Sequence, residues 1–299
     1  MCKVQHLFFY FLLSLAFSCG NSNKETPVDR GDPLSGDFAI ATDPAYFPLV
    51  QVLSDTYMGL YPLVNIRIDT TRSGNPYGWM VDSTLRMMVT GIPLKEQDSI
   101  AMASRGVFVN ISPFAKDALV MVHQQQNDTA SKRQFELRHD SCFRIMNLTP
   151  SAMITDRSGS ENNYYLANRL STVCLSSWKS TDGTNELMEQ VASAPGVLGL
   201  VSWSYLCERK SKRVKERLSR MEIVPYADST SERIYPSQST IVTGAYPLTR
   251  TLFMVTSEPF AGPATGFAAW VASSEGQRVI RLFGGAPLRI PPREIEISN

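Results

Sequence analysis

Apolar and polar positions alternate in blocks of two kinds along this chain. "DFAIAT" (37–42), "VNIRID" (64–69), "LRMMVT" (85–90) and "DALVMVH" (117–123) are short runs with a two-residue or continuous apolar pattern, which predicts strands. Between the first two, Phe47, Val50, Leu53, Tyr57 and Leu60 recur at helical spacing behind Asp43 and Pro44, a capping residue and a favoured first helical position. Asn75–Pro76 opens another candidate helix. The same alternation continues with strand "SAMIT" (151–155), a helix from Ser160, helix "TNELMEQVAS" (184–193), strand "VLGLVS" (197–202) and a basic helix reaching Arg220. "STIVTG" (239–244) and "TLFMVT" (251–256) predict strands, and helical runs near 260–272 and 274–283 follow. Strands alternating with helices imply an α/β fold with mainly parallel sheets. Ligands in such folds bind beyond the carboxyl ends of strands. Those places are Thr42–Asp43, Thr90–Gly91 and Thr155–Asn162.

The N-terminus has a different plan. Lys3 precedes an apolar run from Leu7 to Phe17, then Ser18 and Cys19. This is the layout of a secretory signal peptide, 1–18. Two readings of Cys19 stand: the acylated first residue of a lipoprotein, or an incidental cysteine behind an ordinary signal. The polar stretch 19–36 reads as a tether, which fits the first. The mature chain has no apolar run long enough to span a membrane. Cys142, Cys174 and Cys207 then remain, compatible with one disulfide or with three buried thiols.

Composition narrows function by exclusion. With 299 residues, 43% apolar and 19% charged, the chain has material for one large or two medium cores. A net charge of +1 argues against a nucleic-acid partner. Only His123 and His139 remain in the mature chain, no catalytic signature such as GxSxG, HExxH or Walker A occurs, and no metal-ligand spacing is found. No enzyme, cofactor or metal centre is therefore expected. The stretch 208–220 carries seven Lys/Arg and two Glu, either a solvated helix face or a contact for an anionic lipid or partner. In "TDRSGSENNYYLANRL" (155–170), Arg157, Ser158, Gly159, Ser160 and Asn162 supply donors and a close-approach glycine at a helix start, which suits an anion. The competing reading is a helix N-cap by Ser158 or Ser160. Glu161 places a negative charge inside the same turn.

From about residue 37 to 298 the chain resembles the substrate-binding lipoproteins of phosphate ABC transporters, in the divergent branch found in Bacteroidetes-type bacteria. The resemblance is carried by "IATDPAYFPLV", "DSTLRMMVTGIPL", "KDALVMVH", "PGVLGLVSW", "YPSQSTIVTGAYPLTRTLFMVT" and "GFAAWVASSEGQRVIRLFGGAPLRIPPREIEI". It implies a type II periplasmic-binding-protein fold: two α/β lobes joined by two crossover strands, near Val120–Gln124 and Gly244–Arg250. Lobe one would be 37–121 with 246–299, and lobe two 122–245. It further implies an exported, membrane-anchored monomer, facing the periplasm or cell exterior. Such a protein binds inorganic phosphate or a related oxyanion and hands it to an ABC permease. By position, the ligand loops are Thr42–Asp43, Thr90–Gly91 and Ser158 to Asn162. The chain departs from the family pattern at Gly91, where a charged residue is common, and at Glu161 and Asn162, which replace a small residue and Thr. Glu161, Asp43 or Asp156 would then accept the proton of monohydrogen phosphate. The alternative is a sensor or assembly lipoprotein that keeps the fold and has lost the anion.

Overall fold

The computed structural model describes residues 31–289, apart from 83, 126–136, 139–143, 146–151, 170–177, 209–210 and 228–231. The signal peptide, Cys19, His139, Cys142 and Cys174 lie outside the described residues. In chain order the first elements are strand β1 (Gly36–Thr42), helix α1 (Phe47–Leu60), β2 (Val64–Asp69), α2 (Pro76–Trp79), β3 (Met87–Thr90), α3 (Glu96–Ala103) and the long β4 (Asn110–Gln124). Two short strands, β5 (Leu137–Arg138) and β6 (Arg144–Ile145), precede β7 (Ala152–Thr155), α4 (Glu161–Arg169), β8 (Trp178–Ser180), α5 (Thr184–Ser193) and β9 (Val197–Ser202). Then come α6 (Trp203–Leu206), α7 (Lys212–Leu218), β10 (Met221–Ile223), β11 (Tyr226–Ala227), β12 (Arg233–Ile234) and α8 (Gln238–Thr243). The chain closes with β13 (Thr249–Thr256), α9 (Pro263–Ala272), α10 (Ser274–Phe283) and β14 (Ala286–Pro287).

The main sheet runs β2-β1-β3-β13-β4-β9-β7-β8, with β10 and β14 also paired to β4, and a small sheet runs β12-β11-β5-β6. β1 is parallel to β2 and β3, and β7 is parallel to β8 and β9. Between these parallel sets, β13 is antiparallel to β3 and β4, and β4 is antiparallel to β9. The antiparallel centre reverses one set against the other. The carboxyl ends of β1 and β3 therefore point toward the carboxyl end of β7.

Two large cores flank that boundary. One takes residues from Phe38 to Ala115 and from Leu252 to Ile280, including Tyr46, Leu49, Phe114 and Phe267. The other takes residues from Ala118 to Leu248 with Ala286, including Val120, Leu187, Val191 and Tyr246. A third cluster, with Tyr77, Met80, Leu85 and Met102, covers the opposite face of β1 and β3.

Most elements match the apolar pattern, and "STIVTG" does not. Its β-branched residues predict a strand, yet 238–243 is helix α8. Ser237 Oγ accepts from Thr240 N at 3.1 Å, while Thr240 Oγ1 accepts from Ser237 N at 2.9 Å, a reciprocal capping box. Gly244 closes the helix in the left-handed region with φ of 78°. The two end caps outweigh a strand propensity that rests on packing rather than on the backbone. The basic stretch is also partly structural: Arg217 is buried, and its Nη1 and Nη2 donate to Tyr205 Oη at 2.9 Å and Asn185 Oδ1 at 2.7 Å. Cys207 is a buried thiol 3.7 Å from the carbonyl of Ser204. Among the described residues no helix is long and apolar enough to cross a membrane, and no cluster of His, Cys, Asp and Glu is arranged to hold a metal ion.

Gly199 fixes how closely α5 lies on β9. A Cβ there would stand 2.6 Å from Val191 Cγ2 and 2.8 Å from Leu187 Cδ2. Gly199→Ala is expected to overpack this contact and cost about 1–3 kcal/mol, read as a lower urea midpoint at unchanged slope. An unchanged midpoint would show that the helix yields freely.

Candidate functional site

The carboxyl ends of β1, β3 and β7 bring Thr42, Asp43, Thr90, Gly91, Ser160, Glu161 and Asn162 together, all buried. Asp43 caps the turn after β1, its Oδ1 accepting from Ala45 N at 2.9 Å. Its Oδ2 reaches across the boundary and accepts from the backbone N–H of Glu161 at 3.0 Å. A carboxylate from one side thus satisfies the first turn of α4 on the other, where the helix dipole favours negative charge. Ser160 is the local cap of that helix: its Oγ accepts from Asn163 N at 3.2 Å and donates to Asp156 Oδ1 at 2.5 Å. The helix-cap reading of this turn therefore holds for Ser160.

Glu161 returns the contact in the opposite direction. It is 2% exposed, and its Oε2 accepts from Gly91 N at 2.6 Å and from Tyr46 Oη at 2.9 Å. A backbone N–H beyond a strand and a buried hydroxyl converging on one oxygen form an oxyanion cradle. Here the oxyanion is the protein's own carboxylate. Its other oxygen, Oε1, is buried without a hydrogen-bond partner.

The cation that organises this cluster is Arg250, at the start of β13. Its Nε and Nη2 donate to Asp117 Oδ2 at 3.0 and 2.8 Å, and Nη2 also donates to Asn162 Oδ1 at 2.6 Å. Its guanidinium carbon lies 4.9 Å from the ring centroid of Tyr46 and 5.6 Å from that of Tyr165. Asp117 on β4 is fully buried, and its Oδ1 accepts from Ser202 Oγ, Ser204 N and Ser204 Oγ, each at 2.8 Å. The absence of a side chain at Gly91 follows from this packing. A Cβ there would meet Tyr46 Oη at 2.6 Å and Arg250 Cδ at 2.9 Å, so the arginine and tyrosine fill the space a larger residue would take.

Three of the sequence-predicted residues point elsewhere. Ser158 and Gly159 are exposed on the turn before α4. Arg157 donates from Nη2 to the carbonyl of Arg72 and lines a separate groove of about 990 Å³ with Thr184 and Arg217. Conversely, Arg250, Asp117 and Tyr46 were not singled out from the sequence. Arg250 and Asp117 stand in the apolar strand runs "YPLTRTLFMVT" and "KDALVMVH". A charge within a strand run that is otherwise mostly apolar is the signal that could have marked them, since a buried charge requires a partner. His123 lies outside this cluster, at 3.7 Å from Glu222 on β10.

Electrostatically the cluster is acidic: Asp43, Asp117, Asp156 and Glu161 surround one guanidinium. Burial, reinforced by the charge of Asp43, pushes Glu161 up to about 7; the Thr90 hydroxyl, Arg250 and the Gly91 N–H oppose it. Burial and Asp43 likewise push Asp156 up to about 7, against hydrogen bonds from Ser160 and Asn162. Burial alone would lower the pKa of Arg250, but Tyr46, Asp117 and Glu161 hold it above its ordinary value.

Two outcomes follow. Asp117→Ala leaves Arg250 buried without its ion-pair partner and is expected to cost about 3–5 kcal/mol, measured by denaturant unfolding; a loss under 1 kcal/mol, the scale of a surface pair, would show the pair to be dispensable. Glu161 and Asp156 bind protons more readily folded than unfolded, where their values are 4.5 and 3.8. Their contribution to stability is therefore complete below the unfolded values and lost as pH rises through about 7. The melting temperature should fall between about pH 4 and pH 7, and the fall should shrink in the Asp156→Asn, Glu161→Gln double variant.

A profile described as a PBP superfamily domain matches residues 27–275. Among solved structures, the chain is similar to a putative phosphate ABC transporter substrate-binding protein with bound phosphate from Clostridium perfringens. The two are 13% identical with a TM-score of 0.62, over 85% of this chain and 100% of that one. It is similar to an ABC-type phosphate transport receptor from Vibrio cholerae at 13% identity and a TM-score of 0.59, over 84% and 100% of the two chains. It is also similar to the CcmR regulatory domain of Synechocystis in complex with 2-PG, at 14% identity and a TM-score of 0.54, over 80% and 96%. No curated protein matches. The fold is of periplasmic-binding-protein type, and with a match over most of its length the chain belongs to the PBP superfamily.

Proposed function

We propose that this protein is an exported, lipid-anchored member of the solute-binding type whose anion seat is held by its own Glu161. It works as a sensor or assembly protein rather than as a carrier of phosphate. The observation that carries this reading is the Glu161 carboxylate bonded to Gly91 N–H and Tyr46 O–H. The seat is filled from within, and Asp43, Asp117 and Asp156 surround it. A phosphate dianion entering there would displace Glu161 and meet three further carboxylates against one guanidinium already paired to Asp117. Lobe one (37–121 with 246–299) and lobe two (122–245) are then held together by intramolecular contacts instead of by ligand. Export rests on the 1–18 signal and on the likeness to transport receptors, and anchoring on Cys19.

The second reading is phosphate capture for an ABC permease. It is supported by the fold shared with the phosphate-bound C. perfringens protein and by the ease with which Glu161 takes a proton. A protonated Glu161 can leave the seat or share its proton with monohydrogen phosphate.

Titration calorimetry separates the two. The first reading expects no heat from inorganic phosphate at neutral pH and an unchanged radius of gyration at saturating phosphate. Phosphate binding that discriminates against sulfate, accompanied by lobe closure, would replace it with the second. Glu161→Ser removes the internal carboxylate and is expected to shift any phosphate response upward.

A further inference from the structure

Among the described residues nine large apolar side chains are exposed, and five of them lie at one pole of the fold: Leu34, Leu60, Leu63, Phe108 and Phe260. The topology gathers them. Leu34 precedes β1 and Leu63 precedes β2, and the two strands pair in parallel from Gly36 and Val64 onward. The Gly36 N–H donates to the Leu63 carbonyl at 2.9 Å. Leu60 ends α1, one turn after Tyr57, whose hydroxyl donates to the Pro33 carbonyl at 3.0 Å. β13 runs against β3 and β4, and its last residue, Thr256, pairs with Met87 and Asn110, the first residues of those strands. Phe260 follows β13 and Phe108 precedes β4, so both belong to the same pole. It lies at the amino ends of β1, β2 and β3, whereas Thr42 and Thr90 lie at the carboxyl ends. The seven residues of β1 put about 23 Å between the two.

The apolar surface extends beyond these side chains. Pro62 beside Leu63, and Pro259 and Ala261 beside Phe260, are exposed as well. Leu63 and Phe108 are each 76% exposed, a placement that is unfavourable in water and neutral against hydrocarbon. Exposed apolar residues scattered singly are ordinary, but a set gathered at one pole marks contact with a partner or a membrane. Charge at the pole is balanced. Arg86 and Arg105 are exposed before β3 and after α3, and Asp32 and Asp37 are exposed around the start of β1. A strongly charged partner therefore gains no net attraction here.

The covalent connection of the chain selects the membrane. The described residues begin at Gly31, inside the patch: a Cβ at Gly31 would stand 2.5 Å from the Phe260 ring. Only residues 20–30 separate Gly31 from Cys19. Even fully extended, that link spans at most about 40 Å. A lipid anchor at Cys19 thus keeps this pole within that distance of the bilayer.

We propose that the pole formed by Leu34, Leu60, Leu63, Phe108 and Phe260 is a membrane-contacting surface that seats the protein on the bilayer in which Cys19 is anchored. The inference rests on the lipid-anchored reading of Cys19 and goes beyond it: the acyl chains supply attachment, and the patch supplies orientation. Leu63 and Phe108 enter the interfacial region, and the carboxyl ends of β1 and β3, with the Glu161 cluster, point away from the lipid. Such a contact depends on buried apolar area, and the balanced charge of the pole removes the need for anionic lipid.

The test uses the full chain, purified with its N-terminal modification and reconstituted in vesicles of phosphatidylcholine brominated along its acyl chains, which quench nearby tryptophan. Tryptophan is introduced by Leu63→Trp, by Phe108→Trp and, as a control beside the small sheet, by Tyr235→Trp. The unsubstituted protein gives the background of its four native tryptophans. The expected result is at least threefold stronger quenching of the added fluorescence at positions 63 and 108 than at 235. That difference should be unchanged by high salt and lost when Leu60→Asp and Phe260→Asp are added. Equal quenching at all three positions, a difference that high salt abolishes, or one that survives both aspartate substitutions would overturn the contact. A dimer in detergent that Leu63→Asp dissociates would also overturn it, by assigning the pole to a second copy of the chain. Intact mass reports acylation at Cys19 separately. An acylated protein with equal quenching overturns the contact and leaves the anchor standing. A protein without acyl chains overturns the anchor, while the quenching comparison still decides the contact.

Discussion

A buried guanidinium without partners cannot persist, and the arrangement of this protein's centre follows from where Arg250 finds its own. It sits on β13 and pairs with Asp117 on the adjacent β4, both almost fully buried. Desolvating the two charges costs several kcal/mol per ion, so every remaining lone pair and proton must be used. Ser202 and Ser204 complete Asp117, while Asn162 and the rings of Tyr46 and Tyr165 complete Arg250. The pair lies on the two strands that pass between the large cores, and its partners come from both sides. One ion pair therefore joins the turn after β1, β4, β9, α6, β13 and α4 at a single point.

The rest of the cluster is a consequence. With Arg250 lying over Tyr46, position 91 has room for backbone only, and its N–H is buried there. That N–H needs an acceptor, and Glu161 supplies it from the opposite side. The first turn of α4 needs an acceptor in return, and Asp43 supplies it. Two reciprocal carboxylate contacts thus satisfy one helix N-terminus and one strand end. Gly91 and Glu161, the two positions that the resemblance marks as unusual, are partners in the same hydrogen bond. Each departure explains the other.

The fold was legible because apolar periodicity is local. "VNIRID", "TNELMEQVAS" and "VLGLVS" coincide with β2, α5 and β9 residue for residue. The failure at "STIVTG" has a local cause too, since a capping box and a left-handed glycine decide a six-residue helix more strongly than β-branching does. The site was legible only in part. Strand ends and a helix start marked Asp43, Thr90, Gly91 and Glu161, because their role follows from topology. Arg250 and Asp117 lie 133 residues apart, and their pairing depends on the register of β13 against β4, which no short window contains. Arg157 misled for the opposite reason: adjacency in sequence suggested a role, but its side chain leaves the turn for the carbonyl of Arg72.

A trap that closes on ligand owes its closed state to the ligand's differential affinity for that state. When the closing contacts are intramolecular, that dependence is lost, and a ligand can act only through what the internal contacts leave unsatisfied. Here that remainder is specific. Gly91 N–H, Tyr46 O–H and the α4 N-terminus are all occupied, whereas Glu161 Oε1 is not. An acceptor-bearing ligand must first break Glu161 away from two donors. What the cluster itself shows is an anion of the protein, the Glu161 carboxylate, held by a backbone N–H and a tyrosine hydroxyl.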